Sequence, residues 1–409
     1  MFCSKLQPRP KKPSITCWKS CAYFSKIPYY NISDISSLEG FSGSLKVRGR
    51  VHRIRDIELY VDKLGLVSSA STPIPIDAEK TSLEHRLDHR VVDLRLDFSN
   101  SLIFRILSDV EWSIVSWLRS QSFCQIHTPK ILHGSSEGGS AFFPVSYFEK
   151  PACLAQSPQL YKQMAICGDF KRVFEVGPIF RAEPSNTHRH LTEFTGIDVE
   201  MELNDGYSSF LSFVSQFLIF IASEISSLPL YDSIVRASTV EPLQVPTIPI
   251  VPFKEARQLL NEANACNFDG FSDFSFAEEK QLGKIVRQKY HTDVFILDQF
   301  PACIRPFYSM PSEDNRYCNA FDVLIRGEEV ISGSQRIHCR DSLVERASDG
   351  DSNFLDANSL GAYLDAFKWG VPPHAGFGLG LERLVMQILG LNDIRRASMF
   401  PRDPKRILP

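Results

Sequence analysis

Residues 180–194 read FRAEPSNTHRHLTEF and lie between two apolar segments, VFEVGPIF and FTGIDVEM. Both flanking segments have the composition of β-strands, so the stretch predicts a hairpin whose loop holds about a dozen residues. A loop of this length inside a compact domain is usually functional. Arg181 and Arg189 suit an anionic, phosphate-bearing ligand, because a guanidinium group is permanently charged and makes bidentate contacts.

Two simpler interpretations of this loop have to be compared with anion binding. His188, His190 and Glu193 carry groups that bind metals, but no further cluster of cysteine or histidine in the sequence completes a zinc site. A solvated, charge-rich hairpin is the commoner explanation of an arginine-rich loop considered alone. The remaining motifs of the chain decide against it.

Composition indicates an ordinary soluble protein of two or three domains. The chain has 409 residues, 43% of them hydrophobic and 23% charged, with a formal net charge of -3. Its ten cysteines form no C-x-x-C pair, which favours reduced intracellular thiols over a disulfide scaffold or a zinc ribbon. The most apolar window, residues 210–222, covers about 20 Å as a helix, less than the bilayer core, and predicts a buried helix rather than a membrane span.

The N-terminal region is basic. Residues 1–33 contain six lysines and arginines and no acidic residue. Such a segment is typical of a transit peptide or of an arm that contacts nucleic-acid phosphate. Three prolines, at positions 8, 10 and 13, are unfavourable for a single targeting helix, so we interpret residues 1–43 as a disordered basic extension.

Several further segments carry residues suited to a small charged ligand. Glu137 precedes two glycines, which describes either a plain turn or a mobile loop with a carboxylate at its tip. Gln159 and Lys162 are three residues apart and share a face if the segment is helical. Asp198 and Glu200 alternate along one predicted strand, where a buried carboxylate pair needs a cation or donors nearby.

The C-terminal third adds two more motifs. A hairpin with its turn at residues 326–327 is followed by Glu329, Ser332 and Arg336, and the first two offer oxygen atoms of the kind that Mg²⁺ prefers. Glycines at positions 376, 378 and 380 then lead into an apolar helix, a pattern that permits close approach of a ligand to the backbone. A glycine-rich helix start is weak evidence when taken alone.

Together these motifs resemble the class II aminoacyl-tRNA synthetases, specifically the aspartyl enzymes of the archaeal and eukaryotic cytosolic type. The loop of residues 180–194 resembles the second class II motif, and Gly380 to Arg383 resemble the third. The helical pattern from Phe98 to the strand that ends at Pro129 resembles the first. The resemblance spans about residues 77–409 and implies an α+β fold with an antiparallel sheet flanked by helices, not a Rossmann sheet.

The resemblance also implies a function. The reaction is the activation of L-aspartate by ATP to aspartyl-adenylate, followed by transfer to tRNA(Asp), with Mg²⁺ as the metal, in a cytoplasmic homodimer that associates through the region around Pro129. Arg181 and Arg383 are implied as catalytic residues. The implied ATP-binding residues are Arg181, Glu183, Arg189, His190, Leu191, Phe194, Glu329, Gly380, Leu381, Glu382 and Arg383. The implied aspartate-binding residues are Glu137, Gln159, Lys162, Arg181, Asp198, Ser332 and Arg336, and the implied metal ligands are Glu329 and Ser332.

The domain organisation expected from the resemblance has four parts. Residues 1–43 form the extension, 44–76 a remnant of an OB-type anticodon-binding barrel, 77–97 a linker, and 98–409 the catalytic domain with an insertion at about 203–300. Five barrel strands with ordinary connections need at least about 50 residues. The segment of residues 44–76 is shorter than that, so we expect weakened recognition of the anticodon.

Two other functions fit a chain with a shortened barrel. One is a synthetase-like amide ligase, which forms the adenylate and passes it to ammonia. The other is a non-charging RNA-binding or regulatory form of the same fold. The apparently complete set of ATP and aspartate residues favours a tRNA ligase over the regulatory form.

Overall fold

The computed structural model describes residues 29–31, 46–48, 73–77, 80–96, 98–133, 141–185, 187–228, 231, 241–264, 271–349 and 357–409. The chain divides after Leu96 into two compact units. In the first unit, strands β1 (Tyr29–Asn31) and β2 (Lys46–Arg48) pair in parallel. The rest of the predicted basic extension, most of the predicted barrel segment and the glycine loop with Glu137 lie outside the described residues.

The predicted linker contains two short helices, α1 (Leu83–Asp88) and α2 (Arg90–Leu96). The Asp93 carboxylate joins them, because it accepts hydrogen bonds from Arg86 at 2.6 Å and from Arg90 at 2.8 Å.

The second unit contains the remaining elements in an alternating order. Its helices are α3 (Phe98–Ser120), α4 (Gln159–Cys167), α5 (Tyr207–Ser227), α6 (Phe253–Asn264), α7 (Phe276–Tyr290), α8 (Arg340–Asp349), α9 (Ala357–Ala366) and α10 (Leu381–Leu389). Its strands are β3 (Cys124–Gln125), β4 (Ile131–Leu132), β5 (Pro144–Tyr147), β6 (Lys150–Leu154), β7 (Arg172–Phe180), β8 (Glu193–Glu202), β9 (Ile250–Pro252), β10 (Val294–Asp298), β11 (Ala320–Ile325), β12 (Glu328–Gln335) and β13 (His374–Gly380).

Eight of these strands form one sheet in the order β3-β7-β8-β13-β12-β11-β10-β9. The neighbouring pairs from β7 to β10 are antiparallel, and only the two edge strands, β3 and β9, pair in parallel. The prediction of an antiparallel sheet flanked by helices is therefore confirmed. A second, three-stranded sheet has the order β4-β6-β5.

One face of the large sheet is apolar and is covered by α3, α5 and α10, whose buried side chains form a single core with it. Among the described residues, α5 is a helix long and apolar enough to cross a membrane by length and composition alone. Its residues Phe210 and Phe217 pack against Phe377 of β13, with ring centroids 6.4 Å and 5.5 Å apart. This helix therefore lies in the core, as the apolar window predicts.

The opposite face of the sheet is polar along β8, β12 and β13, whereas along β9, β10 and β11 it is apolar and packs against α6 and α7. On β8, Ile197 and Val199 belong to the apolar core, whereas Asp198 and Glu200 point to the other side. The long loop of residues 181–192 connects β7 to β8 at the edge of this polar face.

Helix α7, which lies in the predicted insertion, packs against the turn between β11 and β12. The hairpin turn between β11 and β12 has Arg326 and Gly327 at φ angles of 53° and 72°, as expected for a two-residue turn that requires positive φ. A Cβ atom on Gly327 would lie 2.8 Å from the carbonyl oxygen of Glu279, and one on Gly283 would lie 2.6 Å from the Gly327 Cα. The helix and the turn are therefore in direct backbone contact.

Gly376 of β13 provides space for a buried carboxylate on the polar face. A Cβ atom at this position would lie 1.9 Å from Glu200 Oε2 and 2.2 Å from the carbonyl oxygen of Val199. The sequence pattern predicts ligand approach at this glycine, but the group that approaches is Glu200 of the neighbouring strand.

We expect Gly376→Ala to lower the free energy of unfolding by about 1–3 kcal/mol or more, because the buried backbone cannot shift freely to admit the methyl group. Urea unfolding followed by circular dichroism measures this loss. Gly361→Ala is the control: it lies in α9 with no atom within 4 Å of the added Cβ. That substitution should stabilise the protein by about 0.5–1 kcal/mol. An unchanged stability of Gly376→Ala would contradict the close packing of Glu200 against this glycine.

Candidate active site

A cavity of about 820 Å³ opens on the polar face of the large sheet. The loop of residues 181–192 forms one wall, and β8, β12 and β13 form its floor. The predicted site residues that line it are Gln159, Arg181, Glu183, Arg189, His190, Leu191, Phe194, Asp198, Glu329, Ser332, Arg336, Gly380, Glu382 and Arg383. The fold thus brings together segments separated by more than 200 residues.

Three other predicted residues stand differently. Glu137 lies outside the described residues. Leu381 has its side chain buried in the apolar core, so only its backbone can face a ligand. Lys162 lies beneath the cavity floor and is 1% exposed.

The Lys162 ammonium group is enclosed by acceptors. Its Nζ donates to Asp198 Oδ1 at 2.9 Å and to the carbonyl oxygens of Phe377 at 3.0 Å and Val199 at 3.4 Å. Glu200 Oε2 lies 3.5 Å away. The resemblance predicts that Lys162 contacts the carboxylate of a ligand. In the structure the same ammonium group neutralises two buried carboxylates of β8.

Arg336 completes this buried set of charges. Its guanidinium donates to both carboxylate oxygens of Glu200, at 2.8 Å and 3.1 Å, and to Ser334 Oγ at 2.6 Å, and it lies over the Tyr308 ring. Burial alone raises the pKa of the fully buried Glu200, but the charges of Arg336 and Lys162 outweigh burial and hold that pKa below its ordinary value. Glu200 is therefore ionised at neutral pH.

The floor offers a ligand one anion, one cation and one unused donor. Asp198 and Arg336 both line the cavity, and each has a counter-charge behind it. Gln159 Nε2 is buried and has no hydrogen-bond partner within the part of the chain that the structure describes. A buried amide donor left unsatisfied is costly, so a ligand oxygen at this place would relieve that cost.

The opposite half of the cavity is arginine-rich. Arg181 lies over the Phe194 ring at 5.9 Å, and its Nη1 is 3.9 Å from Glu183 Oε1. Arg383 Nη1 donates to the carbonyl oxygen of Glu329 at 3.2 Å. An aromatic ring beside arginines suits a nucleotide, because the ring can stack on a base while the guanidinium groups meet phosphate oxygens.

His190 borders this half of the cavity as a neutral side chain. Burial, followed by the charge of Arg383, lowers its pKa. Its Nδ1 lies 2.5 Å from Thr187 Oγ1, whereas His188 Nε2 lies 3.4 Å from Glu328. The two imidazoles therefore face different partners. No group of three or more His, Cys, Asp or Glu residues placed to hold a metal ion occurs among the described residues.

Glu329 and Ser332 both line the cavity and offer oxygen atoms of the kind that Mg²⁺ prefers, and sequence analysis missed a third oxygen-bearing residue, Asp322. It lies opposite Ser332 in the β11–β12 register. Its Oδ1 is buried without a hydrogen-bond partner among the described residues, while Oδ2 accepts from Arg305, which also donates to Ser332 Oγ at 3.1 Å. The pKa of Asp322 is raised to about 6, because the effect of burial exceeds the opposing effect of the Arg305 charge. The charged residue inside the apolar strand AFDVLI was the signal that could have identified it.

Two glutamates beside the arginine-rich half of the cavity each accept a hydrogen bond from one neighbouring residue. Glu382 accepts the Thr195 N–H with both oxygens, at 3.1 Å and 3.0 Å, and burial raises its pKa to about 7. Glu279 of α7 accepts from Arg189 at 2.8 Å. The pKa of Glu279 is also raised to about 7, because the effect of burial exceeds the opposing effect of Arg189.

Comparison with known proteins agrees with this geometry. The family model described as tRNA synthetases class II (D, K and N) matches residues 82–404. Cytoplasmic aspartate–tRNA ligase 2 of Arabidopsis thaliana is 46% identical over 344 residues, which cover 83% of this chain and 61% of that protein. The cytoplasmic aspartate–tRNA ligase of Homo sapiens is 42% identical over 382 residues, covering 87% of this chain and 74% of that one. The chain thus spans less than two thirds of the Arabidopsis relative.

Solved structures give the same result. Aspartyl tRNA synthetase from Entamoeba histolytica superposes with a TM-score of 0.75 at 40% identity, covering 84% of this chain and 72% of that chain. Asparaginyl-tRNA synthetase from Pyrococcus horikoshii, complexed with asparaginyl-adenylate, superposes with a TM-score of 0.76 at 31% identity, covering 84% and 78%.

The raised pKa of Glu382 predicts a pH-dependent stability. Below about pH 4.5 the carboxyl is protonated in both the folded and the unfolded chain, and it contributes nothing. As pH rises from 4.5 to 7 the unfolded chain releases the proton first, so the folded state loses up to about 3 kcal/mol. We expect wild type to lose about 2–3 kcal/mol between pH 5 and 8 that Glu382→Gln does not lose.

Unfolding in urea at both pH values measures this difference. Glu193→Gln, an exposed glutamate on the same strand as Thr195, is the control and should follow wild type. Parallel pH profiles of wild type and Glu382→Gln would show that Glu382 is ionised throughout this range.

Proposed function

This chain belongs to the class II tRNA synthetases of the D, K and N group, and from that membership we propose that it is an aspartate–tRNA ligase. It activates L-aspartate with ATP to aspartyl-adenylate and transfers the aspartyl group to the 3′ end of tRNA(Asp). The names of the relatives favour this function over an amide ligase that shares the adenylate step.

The observation that carries the choice of amino acid is the charged floor of the cavity. Asp198 and Arg336 line it on neighbouring parts of the sheet, and Lys162 and Glu200 neutralise them from beneath. Aspartate brings one ammonium group and one side-chain carboxylate, which match the anion and the cation of this floor. Asparagine has the same shape but no charge to offer to the cation.

The activation step depends on positioning and on neutralisation of charge. The attacking group is the α-carboxylate of the amino acid, which is ionised at neutral pH, so no general base is required. Arg181 contacts the α-phosphate and the attacking carboxylate, and Arg383 contacts the γ-phosphate. Phe194 stacks on the adenine, and Glu183 accepts from its amino group. Fixed cations that meet charge as it develops lower the barrier without reorganisation.

We propose that Glu329 and Ser332, together with Asp322, hold the Mg²⁺ that accompanies ATP. Their carboxylate and hydroxyl oxygens are the donors that this ion prefers, and the unpartnered Asp322 Oδ1 is consistent with a cation nearby. When bound, the ion neutralises charge between the phosphates. Arg305 donates to both Asp322 and Ser332 and so holds the two side chains beside each other.

The remaining assignments follow from the relatives. Their names include the word cytoplasmic, which supports a cytoplasmic location for this chain. We propose homodimers associated through the region around Pro129, and tRNA(Asp) as the nucleic-acid partner.

The first test is amino-acid specificity in ATP–pyrophosphate exchange. Wild type should prefer aspartate over asparagine by about 10⁴-fold or more, since asparagine presents a neutral amide to Arg336 in place of a carboxylate. Lys162→Met should abolish aspartate-dependent exchange while ATP still raises the melting temperature. Lys171→Met, an exposed lysine in the segment after α4, is the matched control. Equal exchange with aspartate and asparagine would reject the assignment of aspartate.

The second test concerns the metal. Glu329→Gln and Asp322→Asn should each lower the exchange rate at limiting Mg²⁺ and shift the half-saturating Mg²⁺ concentration upward by about tenfold, since each removes one charged ligand. Excess Mg²⁺ should restore part of the rate. If neither substitution changes the Mg²⁺ dependence, the ion is bound elsewhere.

A further inference from the structure

The loop of residues 181–192 contacts helix α7 of the predicted insertion through Arg189 and His188. Arg189 Nη1 donates to Glu279 Oε2 of α7 at 2.8 Å, and its guanidinium lies over the Phe276 ring at 4.8 Å. The neighbouring His188 packs against the edge of the same ring, with centroids 5.2 Å apart. Two consecutive residues of the loop therefore contact the first turn of a helix that lies about 90 residues further along the chain.

The first turn of α7 is stabilised by its own hydrogen bonds. Ser275 and Glu278 form a capping box: the Ser275 side chain accepts from the Glu278 N–H, and the Glu278 carboxylate accepts from the Ser275 N–H at 2.7 Å. The backbone contact between Gly283 and Gly327 fixes the same helix to the β11–β12 turn. A loop attached to α7 is thus attached, through α7, to the strands that carry Glu329 and Ser332.

The backbone of Arg189 is held separately from its side chain. Its carbonyl oxygen accepts from Arg383 Nη2 at 3.4 Å, and Arg383 also donates to the carbonyl oxygen of Glu329. Because Glu279 holds the Arg189 side chain, it also fixes the orientation of the Arg189 peptide group that faces Arg383. Because the pair is largely buried, with 20% and 15% of the side chains exposed, it is screened less than a surface ion pair.

We propose that Glu279 is a positioning residue for ATP: by holding Arg189, it fixes the loop of residues 181–192 so that Arg181, His190 and Arg383 meet the triphosphate together. Glu279 touches no substrate itself and acts through the loop. The inference rests on the proposed function, because it assigns a further residue to the same nucleotide site.

A double-mutant cycle in ATP–pyrophosphate exchange at pH 8, where the Glu279 carboxyl is ionised, tests this role. Glu279→Gln should raise the KM for ATP roughly tenfold, while the KM for aspartate changes less than about twofold. The double variant with Arg189→Gln should have the ATP KM of Arg189→Gln alone, because both substitutions break the same pair. Additive effects, or an ATP KM that is unchanged or lowered in Glu279→Gln, would overturn the proposal.

The matched control is Glu255→Gln. It removes an exposed ion pair at the other end of α7, where Lys289 lies 3.3 Å from Glu255, and should leave both KM values at those of wild type. An increase of the ATP KM in this variant equal to that in Glu279→Gln would show a general effect of loosening the insertion, and would also overturn the proposal.

Hydrogen–deuterium exchange of the ligand-free protein gives a readout independent of activity. Glu279→Gln should increase deuterium uptake in a peptide covering residues 187–192, with uptake in α5 unchanged. Unchanged uptake in the loop peptide would refute positioning by Glu279 even if the enzyme is active. A wild-type protein without aspartate-dependent ATP–pyrophosphate exchange would instead refute the proposed function. The hydrogen–deuterium exchange measurement would still test whether Glu279 holds the loop.

Discussion

The cavity floor depends on a balance of four buried charges. Lys162, Arg336, Asp198 and Glu200 are each no more than 6% exposed, and each has an opposite charge within hydrogen-bond distance. An isolated charge at any of these positions would cost several kcal/mol in desolvation, so the set can exist only as a whole. This requirement explains the absence of a side chain at position 376, since Glu200 occupies the space that a Cβ atom would take. It also gives the floor a fixed geometry before a ligand arrives.

The alternation of side chains along the strands separates this charged floor from the apolar core. On β8 and β13 every second residue belongs to the helix-covered core, whereas Gly196, Asp198, Gly378 and Gly380 line the cavity. The polar groups therefore sit on a surface supported from behind by α3, α5 and α10. Such support is what a site needs when its chemistry depends on position more than on proton transfer.

Much of this arrangement could be predicted from the sequence because it is periodic or local. The apolar window of residues 210–222 predicts a buried helix, and α5 spans Tyr207–Ser227. The hairpin around the long loop and the turn at Arg326–Gly327 also lie where the pattern places them. The family resemblance supplied most of the charged residues that line the cavity. Pairing between distant segments could not be read from spacing: nothing near Lys162 in the sequence indicates that Asp198 and Glu200 enclose it. Asp322 was missed for the same reason, since only the strand register places it beside Ser332.

The contact between Gly283 and Gly327 constrains how this fold can be recombined. Helix α7 belongs to the predicted insertion, whereas the turn belongs to the strands that carry the proposed metal ligands, and their backbones touch without intervening side chains. An insertion taken from a relative with a larger residue at position 283 would collide with the backbone of the turn. Chimaeric proteins that exchange the insertion must therefore carry the β11–β12 turn with it. Viable sequence variation at these two positions should be correlated, although they are 44 residues apart.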